Sequence, residues 1–194
     1  HFNLGKILVA MGLSAEAVES FRRAVAAAPD DAEMLSGLTN ALYAASWFDE
    51  CIAQCREGLE RWPDHPHFLT DLALSLTGLG RAGEALPLAR RAAAAHPDDA
   101  GCVMLLPHIM NYAAESDPAE ARAAHEAYGR LVDRLHPPRA RPPIADPDPD
   151  RPLRIGLISG DLRLHAVGTF IAPFLEHHDR RPLHITCYST TAAE

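Results

Sequence analysis

The chain has 194 residues, 47% of them apolar and 6% aromatic, and a formal charge of −8. That length and apolar share are enough for one medium domain or two small ones, and they exclude disorder throughout. No apolar run approaches the ~20 residues of a membrane span, and the acidic balance excludes a general nucleic-acid binder, which would need a basic face. The acidity is uneven: residues 1–135 carry a net charge of −8, whereas residues 136–194 are neutral. Cys51, Cys55, Cys102 and Cys187 form no disulfide framework, which points to a reducing compartment and a cytoplasmic location. Both ends read as cuts in a longer chain, since His1-Phe-Asn-Leu-Gly5 lies inside a helical pattern and no initiator Met precedes it.

From the first residues onward the chain repeats. Pro29-Asp30, Pro63-Asp64 and Pro97-Asp98 recur every 34 residues, each after an Ala-, Leu- or Arg-rich helical run. With position 1 set at Ala32, Pro66 and Ala100, position 7 reads Leu4, Leu38, Leu72 and Leu106. Position 8, where small residues let helices approach, reads Gly5, Thr39, Ala73 and Pro107. The turns between helices read Met11-Gly12-Leu13-Ser14 and Leu79-Gly80-Arg81-Ala82. The second helix carries Ala17 and Ala85 at position 20, then Phe21 and Ala89 at position 24. In both period and positions, residues 1–99 resemble a tetratricopeptide array, in which each unit is helix, turn and helix. It divides into a partial repeat, 1–31, and two full ones, 32–65 and 66–99.

Two groups inside the array invite functional readings. Cys51 and Cys55, with His65 and His67 close behind, suggest a metal site, but the repeat register places the thiols at positions 20 and 24. Those positions face the partner helix, where a buried Cys serves as a small apolar residue. Asn3 falls at position 6, on the inner face of the superhelix, with Gly37, Asp71 and Leu105 as its equivalents. Asn3 and Asp71 are therefore the candidate groove-lining residues, against the alternative of a solvated polar face.

Residues 100–135 read as a degenerate fourth unit and helical spacer. Pro107 falls inside an expected helix, and Pro118 starts another over Ala119–Leu135. His136–Pro152 holds seven prolines in seventeen residues and reads as an extended linker. The pattern then changes. Leu153–Ser159 reads as a strand, Val167–His177 as a helix and Leu183–Ser189 as a strand, which together make a βαβ unit over 153–194. Such a unit needs further strands to bury its faces.

The stretch Ser159-Gly-Asp161-Leu-Arg-Leu-His165-Ala-Val-Gly168 leaves the carboxyl end of the first strand, the edge where open α/β sheets bind ligands. It offers Ser, Asp, Arg and His, but neither G-x-G-x-x-G nor a phosphate-loop Gly-Lys-Ser/Thr, which argues against a dinucleotide oxidoreductase. His165 is the candidate reactive residue, with helix capping as the alternative. His177, His178 and His184 sit at a helix end and a strand start and read as solvent-facing.

The combination of repeats, a spacer with Asn111-Tyr112, Pro118, Ala121 and His125, and a Pro-rich link leading into Arg154-Ile-Gly-Leu-Ile-Ser159-Gly-Asp161-Leu-Arg-Leu-His165 resembles a known family. It is similar to the bacterial O-linked N-acetylglucosamine transferase and SPINDLY family, as are Leu175-Glu-His-His-Asp179 and Cys187-Tyr-Ser189. Leu162 stands where that family usually has Phe, and Ala166 where it has Pro. The resemblance implies an α plus α/β architecture: a tetratricopeptide superhelix followed by the first part of a Rossmann-like glycosyltransferase half. It implies transfer of a sugar, such as N-acetylglucosamine, from a UDP- or GDP-linked donor to Ser or Thr of proteins, with the repeats guiding the acceptor. By the same resemblance His165 is the base or proton relay, and Asp161 and Ser159 shape its loop. No metal or bound cofactor is implied, and the donor, UDP-N-acetylglucosamine, is a co-substrate held mostly by a second half. Expected partners are acceptor proteins and the nucleotide sugar, with neither nucleic acid nor membrane. The rival reading is a tetratricopeptide scaffold that binds partners without catalysis.

Overall fold

The computed structural model describes residues 1–137, 148, 150–162 and 165–190. Most of the Pro-rich linker, Arg163 and Leu164 of the loop, and residues 191–194 lie outside the described residues. The chain divides into two units, 1–138 and 139–194. In the first, helices follow one another in antiparallel pairs: α1 (Phe2–Ala10), α2 (Ser14–Ala27), α3 (Ala32–Ala44), α4 (Phe48–Arg61), α5 (Pro66–Gly78), α6 (Ala82–Ala95), α7 (Ala100–Met110) and α8 (Pro118–Leu135).

Local chemistry sets where these helices start and stop. The Asp31 carboxylate accepts from the Glu33 amide at 2.8 Å, and Asp99 accepts from the Cys102 amide at 2.9 Å. These are N-cap bonds, which satisfy orphan donors of the first turn. The equivalent His65 makes no such bond, and α5 begins instead with Pro66, whose missing N–H costs nothing there. In the first three pairs the first helix, α1, α3 or α5, ends in a Schellman motif: Leu13, Trp47 and Arg81 donate to Leu8, Leu42 and Leu76 carbonyls, and Gly12, Ser46 and Gly80 donate to Val9, Tyr43 and Thr77. The motif requires a left-handed residue, and φ is 76° at Gly12, 61° at Ser46 and 75° at Gly80.

Ser46 carries a Cβ into a region that favours glycine. Ser46→Gly is therefore expected to stabilise the array by about 0.5–1 kcal/mol. The urea midpoint checks this, and a lower midpoint would refute it.

Packing follows the period. Ala17, Cys51 and Ala85 are all 0% exposed, as are Cys55 and Ala89, so the thiols occupy the core between paired helices. Cys55 is held well above the ordinary thiol range by its bond to the Cys51 thiol and by burial. The Phe21 ring fills a slot between two glycines: a Cβ built on Gly5 would meet it at 2.7 Å and one on Gly37 at 2.5 Å. Position 7 is buried at Leu38 and Leu72 (4% exposed each), but Leu4 is 50% exposed because, among the described residues, no helix covers that side of α1. Pro107 is buried inside α7, which spans 11 residues against 13 for α3 and α5. Its ring removes one rung of the helix ladder.

Arginines tie each unit to the Pro-Asp turn of the one before. Arg61 donates to the Pro29 carbonyl and pairs with Asp30, Arg91 does the same at Pro63 and Asp64, and Arg134 pairs with Asp98. All are exposed, so each contributes well under about 1 kcal/mol.

The second unit is a parallel pair, β1 (Leu153–Ser159) and β2 (Leu183–Ser189), joined by α9 (Ala166–His177). The register runs from Leu153 opposite Leu183 to Ser159 opposite Ser189. Ile158 is 72% and Phe170 84% exposed, so apolar faces of this small sheet and its helix are uncovered among the described residues. Parallel strands are normally buried on both faces.

Candidate functional site

Two places carry chemistry: the turn after β1 and the inner face of the array. In the turn, the Asp161 amide donates to Ser159 Oγ at 3.0 Å, which closes the chain back on the strand end. His165 has extended backbone (φ −148°, ψ 160°) and caps α9: its Nδ1 accepts from the Val167 amide at 3.3 Å. The Thr169 hydroxyl donates to the His165 carbonyl at 3.1 Å. Asp161 Oδ2 lies 3.9 Å from the same Nδ1, close enough for charge but too far for a hydrogen bond. Both side chains are a little under half exposed.

This arrangement determines what the imidazole can do. While Nδ1 accepts from Val167, a neutral ring carries its hydrogen on Nε2, which can then only donate. If Nδ1 instead holds a hydrogen directed at Asp161, Nε2 becomes a base. The capping bond and the carboxylate thus compete for one nitrogen, and the outcome sets the polarity of the other.

On the inner face of the array, α1 and α3 with the start of α5 enclose a groove of about 380 Å³ whose lining includes Phe2, Lys6, Gly37, Asn40 and His67. A second hollow of about 240 Å³ lies further along, lined in part by Tyr43, Leu74, His108 and Tyr112. Neither residue singled out from the sequence lines them. Asn3 is exposed on α1 outside the groove. Asp71, placed by the sequence on the open inner face, is corrected by the structure: it is 5% exposed and packed between helices, with Oδ2 accepting from the Thr39 hydroxyl at 2.7 Å. The residues that do face the hollows, Lys6, Asn40, Leu74 and His108, share repeat position 9. Their spacing of 34 was present in the sequence, one helical turn beyond the position inspected.

His65 stacks against Phe68 at 4.4 Å, and burial lowers its pKa. Among the described residues no group of three or more His, Cys, Asp or Glu converges as a metal site, and no helix is long and apolar enough to cross a membrane.

The tetratricopeptide repeat family model matches residues 2–50 and 40–100. The chain belongs to the tetratricopeptide repeat family. Beyond that, 80 residues of the chain are 38% identical to the Arabidopsis thaliana protein named "Probable UDP-N-acetylglucosamine–peptide N-acetylglucosaminyltransferase SPINDLY", covering 41% of this chain and 9% of that one. A solved variant of Thermobaculum terrenum O-GlcNAc transferase superposes with a TM-score of 0.77 at 28% identity, over 97% of this chain and 36% of that one. A thermophilic tetratricopeptide protein of Thermus thermophilus, 21% identical, shares the fold over 68% of this chain and 73% of its own, with a TM-score of 0.60. The chain therefore spans about a tenth of the curated transferase and about a third of the solved one.

Proposed function

We propose that the chain is the repeat region and opening strand–helix–strand of a protein O-glycosyltransferase. The observation that supports this reading is the extent of the likeness to the Thermobaculum terrenum enzyme: at 97% of the chain it runs past the tetratricopeptide array into β1, α9 and β2. The Thermus thermophilus array matches only 68%. In this reading β1–α9–β2 opens a Rossmann-like half, and a second half holds UDP-N-acetylglucosamine as co-substrate in the cytoplasm. The grooves at position 9 guide Ser- or Thr-bearing segments of acceptor proteins.

Chemically, the acceptor hydroxyl oxygen forms the new bond to the anomeric carbon while the bond to the nucleoside diphosphate breaks and the diphosphate leaves with the electron pair. The hydroxyl proton passes to His165 Nε2, which can accept it in the tautomer that carries its hydrogen on Nδ1 and directs it at Asp161 in place of the capping bond from Val167. His165 is then the catalytic residue of this segment and Asp161 its positioning residue.

The test is transfer of labelled N-acetylglucosamine from its UDP donor to a Ser/Thr-containing protein by the intact polypeptide, with residues 1–194 alone as a control. Transfer is expected for the intact polypeptide, with neither transfer nor nucleotide binding by residues 1–194. If the intact polypeptide binds partner proteins through the array and transfers no sugar, the scaffold reading replaces this one. Micromolar UDP binding by residues 1–194 would overturn the division of labour between the halves.

A further inference from the structure

Asp71 is a carboxyl group enclosed in the array, and among the described residues no cation pairs with it. It lies on α5, against α3 of the preceding repeat, and is 5% exposed, while Thr39 is 0% exposed. From α3 it meets the Thr39 hydroxyl. On the α4 side stand two thiols, Cys51 and Cys55, 3.9 Å apart and both 0% exposed. From α6 the buried residues are Ala82, Ala85, Leu86, Ala89 and Ala92, and its charged side chains Glu84, Arg90 and Arg91 pair on the outside with Arg81, Glu120 and Asp64. From α7 the buried titratable group is the Cys102 thiol, pushed up to about 11 by burial, and His108 is exposed.

The hydroxyl of Thr39 has one hydrogen and two claims on it. Its oxygen is 2.7 Å from Asp71 Oδ2 and 3.0 Å from the Ser36 carbonyl. An ionised Asp71 can only accept, so Thr39 must turn its hydrogen toward the carboxylate and leave Ser36. A protonated Asp71 donates its own hydrogen to Thr39 Oγ1, which then donates to Ser36. Both forms keep the Asp71–Thr39 bond, and the Ser36 carbonyl lies inside α3; what separates them is burial, which a neutral carboxyl tolerates and a carboxylate does not.

We infer that Asp71, held against α3 by Thr39, is a proton-operated latch between adjacent repeats, favoured while its buried carboxyl is neutral and weakened when that carboxyl takes on charge away from water. Burial acts in this sense and pushes Asp71 up to about 7 from 3.8, while the Thr39 hydrogen bond favours the ionised form and opposes that rise. Because the folded value lies above the unfolded one, the latch's contribution is fully present below about pH 4. It is lost as pH rises to about 7, at up to about tenfold in the folding equilibrium constant per pH unit. On the proposed function, the grooves on the same helices are carried by an array that loosens as pH rises from about 4 to about 7 and changes no further above that.

The experiment combines two measurements on the protein: the ¹³C carboxyl titration of Asp71 with the amide resonances of Ser36–Asn40, and urea midpoints from pH 5 to 8 for the natural chain, Asp71→Asn and Thr39→Val. The Asp71 signal is expected to titrate near neutrality, with the α3 amides following at the same midpoint. Asp71→Asn should remove the part of the stability loss that falls between pH 5 and 7. Thr39→Val should move the Asp71 midpoint upward, because the charged form loses its hydrogen bond. An Asp71 midpoint near 4, α3 amides that do not follow it, or parallel pH curves for the natural chain and Asp71→Asn would each overturn the latch. Should Asp71→Asn fail to fold, the titration of the natural chain decides alone.

Discussion

On the proposed function, replacing His165 with Asn is expected to lower kcat for sugar transfer by the intact polypeptide about 10²–10⁴-fold, or about 3–5 kcal/mol, with folding stability unchanged. Asn is chosen because it is among the best N-caps, so it keeps the bond that His165 Nδ1 now makes to the Val167 amide. What it cannot do is take a proton near neutral pH. His165→Ala removes both functions and should lose about 1 kcal/mol of stability in addition to turnover. The pair separates the two roles that share this side chain. If Asn restores turnover along with stability, His165 is a cap and the base lies elsewhere. Nucleotide affinity should remain near normal in both variants, because the donor is assigned to the other half, so the loss should appear in kcat and not in KM for the donor.

The second large effect concerns the array. Leu72→Asp is expected to destabilise it by about 4 kcal/mol, the scale of an unpaired buried charge or its neutralisation in the core. Leu72 is 4% exposed and directly follows the buried Asp71, so the variant would bury a second carboxyl group in α5. Leu72→Ala provides the measure of packing alone, at about 2–4 kcal/mol. Thermal unfolding of both variants checks the register: an unchanged melting temperature for Leu72→Asp would mean that position 7 does not face the core.

Much of the array was legible in the sequence because its determinants are local and repeated. Pro-Asp turns, Asp31 and Asp99 as caps, and Gly12 and Gly80 in left-handed turns act within a few residues of themselves, and α3, α5 and α7 start at Ala32, Pro66 and Ala100. The fold of residues 153–189 was legible for a similar reason, since β-branched strands flank an apolar helical stretch. Ser46 shows the limit of local reading: nothing in its side chain announces a positive φ, and it is held there by the turn its repeat neighbours define.

The inner face was less legible. Position 6 holds Asn3, exposed, and Asp71, enclosed, although both share one place in the repeat. The difference is that α3 packs on α5 and presents Thr39 to Asp71. A periodic pattern states which way a residue points from its own helix but not what stands opposite.

The sequence by itself determined the helix–turn–helix period, the strand–helix–strand that follows and the resemblance to protein glycosyltransferases, because each rests on residue types at fixed short spacings. Only the tertiary structure decided that Asp71 is buried against Thr39, that Lys6 and Asn40 line the groove, and that one nitrogen of His165 is claimed by the Val167 amide with Asp161 nearby. Burial, hydrogen-bond competition and the resulting protonation are properties of pairs of groups brought together from different helices or across a turn. They exist only once the chain has folded.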